Sequence, residues 1–467
     1  MLQTLKNAWR TKDIRSKLLF TFFILLIYRI GTVIPVPYVD AHDFAGSFSG
    51  TILEYLNVLS GGSLGQATLF ALGVSPYINS SIIIQLLAVV FPKLGELAKT
   101  DKKKMGLITR ITTVILALIT AVGYYFLLAD SALAPRATAG TGSLYWFYGI
   151  VIVISYVAGA SLVMWLADRI NEHGIGNGVS MILFANIVTS IPQQCIALYT
   201  LIRGTFAYDP ISIGLIILAF VFVILLIAAV LAMTVFVIFI TGSERRIPVQ
   251  YAKRVVGRKM YGGQSSNLPI KLNMTGVMPV IFASSIVSLV PTILALCGID
   301  GTGESGWDTF ANIIGSSGFI YPIVFFALII GFAYFYTQIT FDPIEVANNL
   351  KKQGGAIPGI RQGRPTSDYI KKILNKITLA GALFLSVVAV VPVIAGPHII
   401  QHVVEWILSG NAAYTEESVV AAAKQYSGVF TFGGTSLIIV IGVALETFRE
   451  LEAQLTMRNY KGKGFLN

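Results

Sequence analysis

Ten apolar stretches, divided by loops whose positive charge falls almost wholly on alternate connections, constrain the fold of this chain more than any other feature. They run near Leu18–Ile34, Val74–Phe91, Ile111–Ala129, Leu144–Ala167, Ile175–Tyr199, Ile211–Ile240, Gly276–Gly298, Phe319–Thr340, Ile377–Ala395 and Val429–Leu445. A helix needs about 20 apolar residues to cross the hydrocarbon core of a bilayer. Backbone inside that core must satisfy its own hydrogen bonds, which a helix does. Only 12% of the 467 residues are charged and 55% are hydrophobic, whereas a soluble domain carries roughly 25% charged residues. The expectation is an all-α polytopic membrane protein with ten transmembrane helices.

An even number of spans puts both termini on one side. With the N-terminus in the cytoplasm, 30 of the 34 Lys and Arg residues lie on that side or at its helix ends. Arg136, Arg203 and Lys424 fall opposite, and Arg29 lies inside the first span. Membrane insertion demands this asymmetry, so both termini are expected to be cytoplasmic. The net charge of +11 then follows from topology and does not itself imply nucleic acid. Cys195 and Cys297 sit far apart in apolar segments and suggest neither a disulfide framework nor a metal site. Residues 1–17 are polar and basic, and no cleavable signal peptide is expected.

The stretch Glu54–Phe91 is unlike the others. Its second half is apolar and uncharged, but Gly61, Gly62, Ser63, Gly65 and Gln66 interrupt its first half, which leaves short pieces such as Leu69–Leu72. Residues 57–72 are too short and too broken to cross alone. Irregular backbone at membrane depth is tolerated only when packed in protein or lining a watery cavity. The residues leave two readings open: a short re-entrant helix at the centre of a bundle, or an external loop ahead of an ordinary helix. Arg29 follows Leu18 by eleven residues, so it lies about 16 Å into a core about 30 Å thick. A charge there costs about 2.5–3.5 kcal/mol on insertion scales, and structural pairing inside the bundle is favoured over a transport role. Pro35 and Pro37 end the first helix, because neither donates a backbone hydrogen bond.

Little in the chain suggests catalysis. Gly174-Ile-Gly-Asn-Gly178 precedes a helix but lacks the Lys-Ser/Thr ending and the preceding strand of a phosphate loop, and reads as a tight turn. His398, His402 and Glu405 could share a helix face, yet Ile399 stands where a zinc protease motif needs Glu. They read as an interfacial helix with solvated histidines. No nucleophile–base set is present, and neither an enzyme nor a cofactor is expected. Two long basic connections remain, within residues 241–275 and 341–376. The first, Glu244–Lys259, alternates basic with β-branched residues, which favours a short hairpin. The second, Asn348–Pro365, mixes Gly and Pro. Topology alone makes such loops basic, but connections beyond about 12–15 residues are usually functional or disordered. An acidic partner, RNA or an acidic protein surface, would suit them.

The motifs together resemble the SecY family, the pore-forming subunits of the bacterial protein-conducting channel. The matching stretches are Tyr28–Pro37, Leu59–Leu87, His173–Ser180, Arg245–Arg254, Leu268–Ser285, Asn348–Arg361 and Phe432–Thr447. The resemblance implies ten helices in two pseudo-symmetric halves, residues 1–203 and 204–467, hinged near Arg203–Pro210. It implies a re-entrant plug helix at about residues 57–72 that includes Gly61, Gly62, Ser63, Leu64, Gly65, Leu69 and Phe70. The family's pore ring maps onto Val74, Ile78, Val179, Leu183, Ile281 and Ile439, all aliphatic here. Its lateral gate, between spans two and three and spans seven and eight, maps onto Gln85, Asn273 and Ser284. Its docking loops place Arg245, Arg246, Lys253, Arg254, Arg258, Lys351, Lys352, Arg361 and Arg364 against the ribosome and the SecA motor ATPase. The implied partners also include the small membrane subunits SecE and SecG, signal peptides, nascent chains and the lipid bilayer. The implied function is passage of unfolded secretory polypeptides across the bacterial cytoplasmic membrane, with release of hydrophobic segments into it. The alternative is a secondary transporter of a small solute, which usually keeps ionisable groups near the midplane; here the spans hold only Arg29 and, at the last helix's end, Glu446. The connection 396–426 is longer than in many relatives, and its role is unassigned.

Overall fold

Uninterrupted apolar runs in a chain of this composition become helices, and the polar connections decide where each begins and stops. The computed structural model describes residues 2–39, 57, 60–129, 143–206, 213–251, 254–256, 259–261, 265–296, 318, 320–409, 419–420, 423 and 433–463. Helices α1 (Leu2–Arg10) and α2 (Lys12–Gly31) open the chain, and after a run of turns come α3 (Ser75–Val90), α4 (Pro92–Thr100) and α5 (Lys102–Ala129). Then follow α6 (Ser143–His173), α7 (Gly178–Phe206) and α8 (Ile213–Gly242). Beyond a small sheet lie α9 (Met278–Leu296), α10 (Ile320–Thr340), α11 (Pro343–Lys352), α12 (Arg364–Ala395), α13 (Gln401–Ser409) and α14 (Gly433–Lys463). Each of the ten apolar segments has its helix among these: α2, α3, α5 to α10, α12 and α14. Six of them, α5 to α8, α10 and α12, are by themselves long and apolar enough to cross a membrane. With α4, α3 makes a seventh candidate, bent by 118° at Phe91, where Pro92 cannot continue the hydrogen-bond ladder.

Local chemistry sets the ends. Asn177 Oδ1 accepts from the Val179 and Ser180 amides at 3.0 and 3.4 Å and caps α7. Asp342 accepts from the Ile344 amide at 2.8 Å and caps α11, with Pro343 in its first turn. Between α6 and α7 the helices approach so closely that a Cβ on Gly178 would stand 2.0 Å from the Ala167 carbonyl oxygen. Arg110 on α5 and Asp168 on α6 pair at 2.8 Å.

The main core gathers buried side chains from α2, α3, α6 to α10, α12 and α14. Outer faces remain apolar: Phe22 on α2 and Leu225 and Phe239 on α8 are all more than 60% exposed. Surface of this kind suits lipid as its solvent. The far half of α14 is a polar tie. Arg449 donates to the Thr241 carbonyl at 3.0 Å, Glu450 accepts from the Gly176 amide at 2.8 Å, and Gln454 accepts from Lys17 Nζ at 3.3 Å.

The two basic connections form one structure. Strands β1 (Glu244–Tyr251) and β4 (Ser265–Lys271) pair antiparallel from Glu244↔Lys271 to Gln250↔Ser265 and enclose a smaller hairpin of β2 (Arg254–Val256) and β3 (Lys259–Tyr261). The expected hairpin is thus two nested ladders. Strand β5 (Gly355–Ala356), from the second connection, pairs with β1 at Gln250 and Tyr251. Ile247, Val249, Ile270, Leu350, Ile357, Ile370 and Leu374 close a separate core beneath the sheet.

The Gly178 contact yields a prediction. Gly178→Ala should cost about 1–3 kcal/mol through overpacking and lower the thermal unfolding midpoint in detergent. Gly106→Ala, where nothing lies within 4 Å of the added carbon, should leave that midpoint unchanged or raise it.

Candidate functional site

The interrupted stretch before α3 is buried, not an external loop. Asn57 lies in a helical turn, residues 58 and 59 lie outside the described residues, and Ser60 to Val74 run as successive turns. Ser63, Leu64, Ala67, Thr68, Phe70 and Ala71 are all buried. Such backbone must find partners, and the small polar residues supply them. Asn57 Oδ1 accepts from the Gly65 amide at 2.8 Å, and Ser60 Oγ accepts from the Leu64 amide at 3.1 Å. Ser63 Oγ donates to the Ser60 carbonyl at 2.9 Å. The Thr68 amide donates to the Ser63 carbonyl at 3.1 Å, and the Gly62 amide to the Asn57 carbonyl at 2.8 Å.

Few ties lead outward. Leu69 donates to the Ile34 carbonyl at 2.9 Å, and Val36 donates to the Ala67 carbonyl at 3.2 Å, beside a bridge between Pro35 and Thr68. The Tyr124 hydroxyl donates to the Leu64 carbonyl. Arg29 Nη1 reaches the Gly61 carbonyl at 3.4 Å, so the intramembrane cation is held by backbone; among the described residues no carboxylate pairs with it. The Phe70 ring stacks on Tyr28 at 5.5 Å and 9°, over Gly31, whose missing side chain makes room for that ring.

The aliphatic positions singled out in the sequence share a core with this segment's Phe70. Val74 is the last residue before α3, Ile78 is one turn on, Val179 and Leu183 sit in the first turns of α7, Ile281 in α9 and Ile439 in α14. Five of the six are buried in the main core and Val179 packs against it. The structure therefore places these residues, from four helices, in the same large apolar core as Phe70. The six side chains are themselves aliphatic and offer a solute no hydrogen bond, and a narrow aliphatic constriction blocks ions by excluding their water.

To one side, α9 packs against α3 and α5. Gln85 on α3 donates to Ser81 Oγ at 2.9 Å, and Tyr336 lies on α10. Phe282 packs edge-on to Tyr336 with ring centres 5.3 Å apart. Asn273 is buried just before α9 and accepts from Thr275 at 3.5 Å, while Ser284 donates to the Ile281 carbonyl of its own helix. Tyr336 and Phe282 escaped sequence reading because aromatics in an apolar run carry no periodic signal of their own. The same holds for Tyr28 and Asn186, both wholly buried and joined by a hydrogen bond of 2.9 Å.

The basic side chains sit apart from this centre. Arg245, Arg246, Lys351, Lys352, Arg361 and Arg364 are exposed around the sheet, and Arg246 pairs with Glu244 at 2.7 Å. Arg254 begins β2, whereas Lys253 and Arg258 lie outside the described residues, as do residues 410–418, 421–422 and 424–426 of the connection 396–426 and positions 207–210 of the expected hinge. At the glycine-rich turn the amide of Gly176 is already occupied by the chain's own anion, Glu450. His402 and Gln401 both engage Glu405, at 3.1 and 2.8 Å.

Removing the Glu450 anion should loosen that turn. Glu450→Ala is expected to speed amide hydrogen exchange across residues 176–180 about tenfold, the effect of losing one charge-assisted bond. Glu450→Gln, which keeps an acceptor oxygen, should retain most of the protection.

Comparison with known proteins follows this geometry closely. The SecY family model matches residues 68–448. The protein translocase subunit SecY of Streptomyces galbus is 40% identical over 476 residues, covering 99% of each chain. Among solved structures, a SecY channel described for a plug domain that stabilises the closed state superposes with a TM-score of 0.60 at 16% identity, covering 94% of this chain and 92% of that one. Sec61 from a canine ribosome–channel complex superposes at 0.57 with 16% identity, covering 94% and 92%. At these identities the superpositions speak for the fold.

Proposed function

The chain belongs to the SecY family of channel-forming protein translocase subunits, multi-pass membrane proteins that are not enzymes, and from that premise we propose how its own residues form and close the channel. Val74, Ile78, Val179, Leu183, Ile281 and Ile439 are the constriction through which an unfolded polypeptide slides. What supports this is that six aliphatic side chains from four helices lie in or against the main core that also takes in Phe70 of a buried, non-helical segment. Aliphatic walls make no sequence-specific hydrogen bonds, so a chain of any sequence passes, while a hydrated ion meets a dry barrier. Residues 57–72 act as the plug, as a plug domain does in the SecY relative of the same fold.

The seam where α9 meets α3 and α5 serves as the lateral gate. Lipid provides little hydrophobic drive for helix association, so a few polar contacts, with Gln85 and Asn273 among them, set how readily an apolar signal segment parts the helices. Spans one to five and six to ten move as the two halves, 1–203 and 204–467. Both termini face the cytoplasm of a bacterial cell, where the charge asymmetry of the loops puts them. The sheet with Arg245, Arg246, Arg361 and Arg364 docks acidic partners. The likeness to a ribosome-bound channel favours the ribosome there, and SecA would use the same charges; SecE and SecG would cover parts of the apolar outer face. A small-solute transporter draws no support from the family.

The test is site-specific photocrosslinking from residues 74, 78, 281 and 439 to a secretory chain stalled in transit. Adducts from all four positions, with none from lipid-facing Leu225, are expected. Adducts absent from the four but present elsewhere on the helices would remove the constriction from this place.

A further inference from the structure

We propose that Tyr28, Arg29 and Asn186 are positioning residues that latch the segment 60–70 in its closed place, an inference that rests on reading this segment as the plug. Four contacts carry it. Asn186 on α7 donates through Nδ2 to the Tyr28 hydroxyl at 2.9 Å, and both side chains are fully buried. The Tyr28 ring stacks on Phe70 of the segment at 5.5 Å. The neighbouring Arg29 donates to the Gly61 carbonyl at 3.4 Å. Gly61 itself, at φ +70°, is wedged so tightly that a Cβ there would lie 2.9 Å from Asn186 Oδ1 and 3.1 Å from Arg29 Nη1. The first and fifth apolar helices thus grip one glycine from two sides.

The chemistry of the grip suits release. A buried carboxylate partner for Arg29 would make separation leave two uncompensated charges. A backbone carbonyl at 3.4 Å gives the cation enough to be tolerated inside the bundle, yet leaves only a neutral acceptor when the segment departs. The Tyr28–Asn186 bond belongs to the helices and survives that departure, so it keeps the cradle shaped for return.

The experiment measures ion leak through the full chain reconstituted in proteoliposomes, together with hydrogen exchange of the peptide spanning residues 60–70. Tyr28→Phe, Asn186→Leu and Arg29→Gln are compared with the double variant Tyr28→Phe/Asn186→Leu and with deletion of residues 60–70. Each single change should raise the leak and the exchange of that peptide about fivefold to tenfold, the weight of one buried hydrogen bond. The double should exceed either single by less than the product of the two effects, since both break the shared Tyr28–Asn186 bond, Arg29→Lys should leak less than Arg29→Gln, and exchange in α5 and α12 should not change. If the deletion leaks while the point variants stay tight and protected, the latch is wrong and the plug stands. A deletion that leaves the membrane tight would overturn the plug reading and the latch with it. Faster exchange throughout the bundle would mean that the three residues only support folding, which also refutes the latch.

Discussion

Everything in this structure depends on how a non-helical backbone segment keeps its hydrogen bonds among apolar helices. Unpaired peptide groups in such surroundings cost several kcal/mol each, and helix formation is denied to a stretch with Gly61, Gly62, Ser63 and Gly65 in close succession. The solution is internal: Asn57, Ser60 and Ser63 act as substitute backbone, satisfying amides and carbonyls a few residues away. Ile34, Val36, Tyr124 and Arg29 tie the segment to its surroundings by hydrogen bonds. A segment that satisfies itself can leave as a unit at the loss of a few bonds. That is the property a removable stopper needs.

The aliphatic cluster complements this arrangement. Burial of Ile78, Leu183, Ile281 and Ile439 stabilises the resting bundle as any core does, but a seam drawn from several helices can also part without breaking a polar network. At the proposed gate a few polar groups intervene: Gln85 bonds Ser81, and Asn273 is buried just before α9. Elsewhere polar ties join distant segments. The far half of α14 joins Thr241, Gly176 and Lys17 through Arg449, Glu450 and Gln454. The sheet, held on its own small core, presents its basic residues on a rigid base, not on loose loops.

Much of this was legible in the sequence. Ten apolar segments announce ten helices through length and hydropathy alone, and the broken backbone of 57–72 marks itself by its glycines. The glycine-rich turn at 174–178 reads as a turn because a phosphate loop needs residues it lacks. Tertiary pairings were not legible. Strand β5 joins β1 across about a hundred residues, and two residues of extended chain carry no periodic signal. Glu450 finds Gly176 from the opposite end of the chain. Tyr28 and Asn186 are camouflaged within apolar runs, where a lone polar atom says nothing about its partner until the helices pack. The proposed constriction came from family resemblance; spacing alone could not separate it from ordinary core.

The most direct measurement of the central claim is ionic conductance through single channels that lack residues 60–70, with the constriction either native or carrying Ile78→Ser, Leu183→Ser, Ile281→Ser and Ile439→Ser together. A dry aliphatic waist predicts that the polar version conducts salt at least several times better than the native one. Equal conductance in the two would place the barrier to ions elsewhere and contradict the account.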